Sequence, residues 1–179
     1  MAKFKFSEKI NLNMPKFEVT DEQATDKAYM AKMRKAMTKG MVKAVSYVSK
    51  DLAFALDQNI GSDVWNWPRD TQRVNGETVG SPRDIVDTGK LAASLELKES
   101  FLKTKGTIQI MYKAPYAALM HYGGAIKPYG NPNAPTVIIP GRPWVEATIN
   151  GTHGLPEFDP GIAGQKGFNE GWREVFPSS

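Results

Sequence analysis

The stretch from Thr20 to Asn59 constrains this chain more than any other. Met30, Met33, Met37, Met41, Val45, Val48, Leu52 and Leu56 step by three or four positions, which is the period of one helix face. Lys32, Lys35, Lys39, Lys43 and Lys50 fall mostly off that stripe. Thr20-Asp21-Glu22-Gln23 has the form of a capping box, in which the Thr hydroxyl and the Gln side chain each satisfy a backbone N–H of the other. Within the stretch only Gly40 disfavours helix, by about 1 kcal/mol relative to Ala. The pattern therefore predicts a helix on the order of 60 Å long, at about 1.5 Å per residue. A small core cannot cover such a rod. It either breaks near Gly40 or packs its first half on another chain.

Residues 1–19 read as an arm. Phe4 and Phe6 alternate with Lys, and Ile10, Leu12 and Met14 alternate with Asn, until Pro15 interrupts. Such a strip adds to a sheet edge, on this or a neighbouring subunit, or frays. Residues 60–86 form a long loop with a hairpin signal at Asn75-Gly76. Its Trp65 and Trp67 are either anchors for a partner or part of a loop folded back on its own core. Asp87 is placed to cap a short helix through Ala92–Ser94 with its carboxylate on the N–H groups of Gly89 and Lys90.

A hairpin with one apolar face follows, from Leu95, Leu97 and Phe101 to Ile108, Ile110 and Tyr112. Pro115 to Tyr122 is a short helix stopped by Gly123, and Gly123 to Pro135 a turn-rich loop. Thr136–Ile139 is a short strand, and Pro143 opens a helix through about Ile149. In the Gly- and Pro-rich tail, Phe168, Trp172 and Phe176 step by four, enough for one or two amphipathic turns that pack weakly or on a partner. The expected fold is α+β: a long N-terminal helix packed on a small, mostly antiparallel sheet with short helices. The arm spans 1–19, the single domain 20–150, and an irregular tail 151–179.

The chain has no Cys, so disulfides and thiolate chemistry are excluded. His121 and His153 are the only histidines and have no acidic cluster beside them in sequence, which argues against zinc. No cofactor motif is present, and no cofactor is expected. No apolar run reaches bilayer length and the N-terminus lacks a signal-peptide core, so a soluble protein without a membrane partner is expected. Net charge is +4, and residues 1–50 hold ten Lys and one Arg against five acidic residues. That surplus suits a polyanion such as DNA, or simply a solvated helix face. Asp87-Thr88-Gly89 has the apolar lead-in of an aspartic-protease loop. However, Lys90 follows it, Pro140 interrupts the companion strand, and the long helix does not belong to that all-β class. No enzymatic activity is expected.

Three pieces in order carry a family pattern: Asp87-Thr88-Gly89-Lys90-Leu91-Ala92-Ala93-Ser94, then Tyr116-Ala117 through Gly123, then Gly141-Arg142-Pro143-Trp144-Val145-Glu146-Ala147. Over about residues 40–150 the chain resembles the neck, or tail-completion, proteins of long-tailed bacteriophages. It departs from them at His121 and Gly123-Gly124, where the family usually carries an acidic residue and a single Gly. The resemblance implies a structural virion protein that forms a cyclic ring, hexameric or dodecameric, between head portal and tail. Its partners are then copies of itself, the head–tail connector, and the tail terminator and tube proteins, with transient sequence-independent contact to DNA. Phe4, Phe6, Trp65, Trp67, Phe168 and Trp172 are the candidate subunit contacts, and Lys32, Lys35, Lys39 and Lys43 the candidate lining of a DNA channel. Asp87, Thr88, Gly89, Leu91, Ser94, Tyr116, Ala117, Gly123, Arg142, Pro143 and Trp144 are structural. Gly89 is expected to allow close helix-to-sheet approach, Tyr116 to pack on the hairpin, and Arg142-Pro143-Trp144 to fix the last helix. The alternative is a DNA-binding protein acting as a free dimer, although no recognition-helix signature supports it.

Overall fold

The computed structural model describes residues 6–13, 18, 20, 22–23, 26–102, 105–127 and 130–177. Phe4 lies outside them, and of Phe6 only the backbone is described, as the start of strand β1 (Phe6–Asn13). The capping box forms, with Thr20 N donating to Gln23 Oε1 at 3.2 Å and Gln23 N to Thr20 Oγ1 at 3.4 Å. The long helix starts later, at a second cap: Asp26 Oδ1 accepts from Ala28 N at 2.8 Å and Tyr29 N at 3.2 Å. From there α1 (Lys27–Ile60) runs for 34 residues. The chain divides into two compact units, the first comprising Met1–Glu8, Phe54–Glu96 and Ile110–Phe158, the second Lys9–Ala53, Leu97–Gln109 and Asp159–Ser179.

In the second unit the expected stripe is the buried face of α1, with Met33, Met41, Val45, Val48 and Leu52 in the core. The helix does not break at Gly40. Within the chain, the C-terminal residues pack against its first half. They are not an irregular tail: Gly161–Arg173 form helix α4. The reason lies in the glycines. A Cβ at Gly167 would sit 2.6 Å from the Lys43 carbonyl oxygen, one at Gly171 would collide with the Lys39 carbonyl, and one at Gly40 would lie 2.8 Å from the Phe168 ring. Residues that read as loop signals are thus what lets two helix backbones touch. Phe168, Trp172 and Phe176 stack in sequence, with centroids 6.0 and 5.2 Å apart, and Tyr29 adds to the ladder at 6.1 Å from Phe176. Lys39 bonds Glu174 at 2.8 Å, Lys43 bonds Glu170 at 2.5 Å and Glu174 at 2.6 Å, and the Tyr47 hydroxyl donates to Glu170. The sheet has the order β1-β5-β4, with β4 Leu95–Leu102 and β5 Lys105–Tyr112. Gly106 of β5 lies directly against the Val45 side chain of α1.

The first unit stitches the long loop to its own core. Trp65 and Arg83 exchange backbone hydrogen bonds at 3.2 and 3.0 Å, and Ile85 N donates to Ile60 O at 3.0 Å. Trp65 is 2% exposed, and its indole N–H donates to Asn59 O at 3.0 Å. It anchors its own fold, not a neighbour. Asn59 in turn donates to Thr148 Oγ1 at 2.8 Å, joining the end of α1 to α3 (Trp144–Asn150). The predicted hairpin is present, with β2 (Thr71–Gln72) antiparallel to β3 (Thr78–Val79) and Gly76 at φ 89°. Helix α2 (Ala117–Tyr122) ends at Gly123, φ 76°. The next residues, expected to be loop, contain β6 (Gly124–Ile126), antiparallel to β7 (Val137–Ile139). A Cβ at Gly123 would lie 2.6 Å from Gly141 N, so the chain can turn here only with glycine. Trp144 is fully buried, edge-on to Tyr112 of β5 at 5.3 Å, which fixes α3 against the sheet as expected.

Substitution of the α4 glycines separates propensity from packing. Gly164, whose added Cβ would meet Val48 at an ordinary 3.5 Å, should become Ala with a gain of up to about 1 kcal/mol. Gly171→Ala, with the same propensity gain, should instead destabilise by about 1–3 kcal/mol through backbone overlap. Urea unfolding of the two variants checks this, and equal effects would rule out backbone contact as the docking constraint.

Candidate functional site

The first unit holds a cavity of about 480 Å³ walled by the Trp67–Arg73 and Arg83–Ala92 segments and by the start of α2. The second unit's cavity, about 380 Å³ beside Met41 and Phe168, has no charged side chain in its wall. The chemistry therefore lies in the first. Its wall brings together Asp87, Thr88, Gly89, Leu91 and Tyr116, five of the residues singled out in the sequence motifs.

Trp67 organises this wall. The guanidinium carbon of Arg83 lies 3.6 Å from its ring centroid and that of Arg142 lies 3.5 Å away. Two guanidinia cannot share one face at that separation, so the indole is sandwiched between them. Trp67 is therefore held within its own unit as well. Arg142 is 1% exposed and donates weakly to Met120 Sδ at 3.8 Å, while its backbone N–H bonds Met120 O at 3.0 Å. Its Nε and Nη2 have no acceptor among the described residues. Burial, then the charge of Arg83, lower its pKa to about 10, which leaves it cationic at neutral pH. Burial, then the neighbouring Arg73, also lower that of Arg83.

Arg73 is held differently. Its Nη2 bonds Asp84 Oδ1 at 2.7 Å, which raises its pKa, and Nη1 lies 3.7 Å from Glu77. Asp84 Oδ1 also accepts from Val86 N at 2.8 Å. Asp87 does not cap the following helix. Its Oδ1 accepts from Val74 N at 2.9 Å, bracing the hairpin, and the short 3-10 turn at Ala92–Ser94 has no side-chain cap. Gly89 serves through its conformation, φ 71°, rather than through close approach, since a Cβ there would meet nothing within 4 Å. Tyr116 is 39% exposed in the cavity wall instead of lying on the hairpin. Ser94 Oγ donates to Leu91 O at 2.7 Å, and Leu91 and Ala117 are buried. Pro143 directly precedes α3.

Phe168, Trp172 and the lysines belong to the second unit. There Lys32 Nζ lies 4.6 Å over Phe176, Lys39 and Lys43 hold Glu174 and Glu170, and Lys35 is exposed. Two of the four expected channel cations thus carry their own counter-charge. Glu174 has its pKa lowered to about 2 by hydrogen bonds from Lys39 and Lys43.

Sequence reasoning missed Arg73, Arg83 and Asp84, which carry no motif and meet only through the loop's return path. It also missed the partner of His121, which is buried with Nε2 2.6 Å from Glu146 Oε2 and edge-on to Trp144 at 4.6 Å. Among the described residues no group of three or more His, Asp or Glu could hold a metal ion, and no helix is long and apolar enough to cross a membrane. Compared with protein-family models, curated proteins and solved structures, the chain matches none.

The buried imidazole makes stability pH-dependent. Burial lowers the His121 pKa from 6.5 to about 4. Between those values the unfolded chain binds the proton that the folded chain refuses. Stability is therefore full above about pH 6.5 and falls as pH drops through the window, by less than burial alone implies because the Glu146 oxygen 2.6 Å from Nε2 favours the imidazolium. Glu146, raised by burial, acts in the opposite sense just above its usual value and narrows the lower end. Unfolding midpoints between pH 4 and 7 should show this slope, and His121→Gln should flatten it. An unchanged slope in the variant excludes His121 as its source.

Proposed function

We propose that this chain is a structural component of a phage neck, assembling as a cyclic ring that completes the tail and continues the DNA channel. One observation supports the reading best. The three sequence pieces that carry the resemblance, far apart in the chain, converge on a single body. Asp87 to Leu91 and Tyr116 share a cavity wall with Met120, and Met120 receives the backbone N–H of Arg142. Such convergence is what a common architectural unit requires, whereas unrelated turn signals have no reason to meet.

The same unit exposes Phe54, Tyr122 and Ile138, at 67%, 62% and 64%. These apolar side chains suit contacts with neighbouring copies better than the two tryptophans do. Head-to-tail repetition of such contacts closes a ring. Lys32 and Lys35, which hold no carboxylate among the described residues, are the channel candidates, bound to phosphate by charge alone. The free-dimer reading loses support, because Lys39 and Lys43 are neutralised by their own chain.

Electron microscopy of the purified chain, alone and added to tailless heads, should show rings or ring-dependent attachment. Lys32→Glu with Lys35→Glu should leave rings intact but lower the salt slope of DNA binding by about 0.9 for each phosphate no longer neutralised. A chain that stays monomeric and attaches to no particle, or that binds DNA tightly as an isolated dimer, would sink the reading.

A further inference from the structure

We infer that the cavity beside Trp67 is a carboxylate-binding site, with Arg83 as the principal ligand-facing cation. The first reason is a surplus of donors. The buried Nε atoms of Arg73 and Arg83, the Trp67 indole N–H and the Thr71 hydroxyl have no hydrogen-bond partner among the described residues. All four residues line the cavity. The acidic groups in the same wall are already engaged, Asp84 by Arg73 and Val86, Asp87 by Val74. Buried polar groups in folded chains nearly always have partners, so a cluster of orphaned donors around one space points to an acceptor that enters it.

The second reason is charge and geometry. Arg83 and Arg142 press on the two faces of one indole, and no acidic side chain bonds either among the described residues. An anion in the cavity compensates Arg83, which lines it. Stacking fixes the plane of the Arg83 guanidinium, and a fixed planar fork suits a two-oxygen acceptor.

The third reason separates carboxylate from phosphate. Asp84 and Asp87 share the wall and repel a dianion more than a monoanion. Ile60, Leu91 and Met120 supply apolar surface for the carbon skeleton. The volume is that of a small-molecule site and takes a side chain or a small acid, not a duplex backbone. The carboxylate has two possible sources, a free small acid or a Glu side chain on a protein segment.

Titration calorimetry of the full chain with butyrate, with a short end-capped alanine peptide containing one Glu, and with inorganic phosphate tests this. Butyrate or the peptide should bind with one-to-one stoichiometry, and Arg83→Met should weaken binding about tenfold or more. Binding by butyrate assigns a free acid, and binding by the peptide alone assigns a partner's side chain. Thr71→Val, which removes one lining donor without changing charge, should weaken binding several-fold and decides the matter if Arg83→Met does not fold. The inference fails if phosphate binds more tightly than both carboxylates, if the variants bind as the parent does, or if nothing binds up to about 20 mM. It stands on the cavity alone, so a chain that forms no ring still has to bind the carboxylate.

Discussion

Trp67, held between two arginines, is the contact on which the first unit's loop architecture depends. A long segment without regular structure has little reason to adopt one path, since its backbone groups are equally satisfied by water. Here the path is set at three points. Trp65 is buried and tied to the end of α1, Trp67 is clamped by Arg83 from its own loop and Arg142 from the approach to α3, and Ile85 returns to Ile60. Removing the indole leaves two guanidinia facing each other with no shared surface. The wall of the cavity is built from the segments this stack positions.

The second unit relies on a different constraint, backbone contact between α1 and α4. Gly167 and Gly171 let α4 reach the carbonyls of Lys43 and Lys39. Glycine lowers intrinsic helix stability, so α4 owes its existence to docking rather than propensity. The Lys39 and Lys43 pairs with Glu174 and Glu170 are half exposed, and such pairs contribute little energy individually. Their consequence is electrostatic: they remove positive charge from a face that composition alone would assign to a polyanion.

The short motifs that carry the resemblance solve local problems of folding. Gly123 permits a turn no other residue allows, Trp144 fills the space beside Tyr112, and Ser94 closes a tight turn. Trp144 is buried, and Gly123 and Ser94 are half-buried. Of the exposed apolar residues, Ile138 and Phe54 lie outside the three motif pieces.

What the amino-acid order determined by itself was periodic and local. The stripe from Met30 to Leu56, the alternation through Ile108, Ile110 and Tyr112, and the turn at Asn75-Gly76 each encode an element through nearest-neighbour geometry. So the long helix, the hairpins at Asn75-Gly76 and of β4 with β5, and helices α2 and α3 were readable, whereas the pairing of β6 with β7 and helix α4 were not. The capping box was readable too, but not the second cap at Asp26, from which the long helix starts. Tertiary structure alone decided the rest. It turned the glycines of the tail from breakers into contacts, redirected Asp87 from a helix cap to the hairpin at Val74, buried Trp65, and assembled Arg83, Trp67 and Arg142 from three separate segments. The physical reason is common to all four: a residue's role there is set by what lies against it in space, and sequence spacing carries no record of that neighbour.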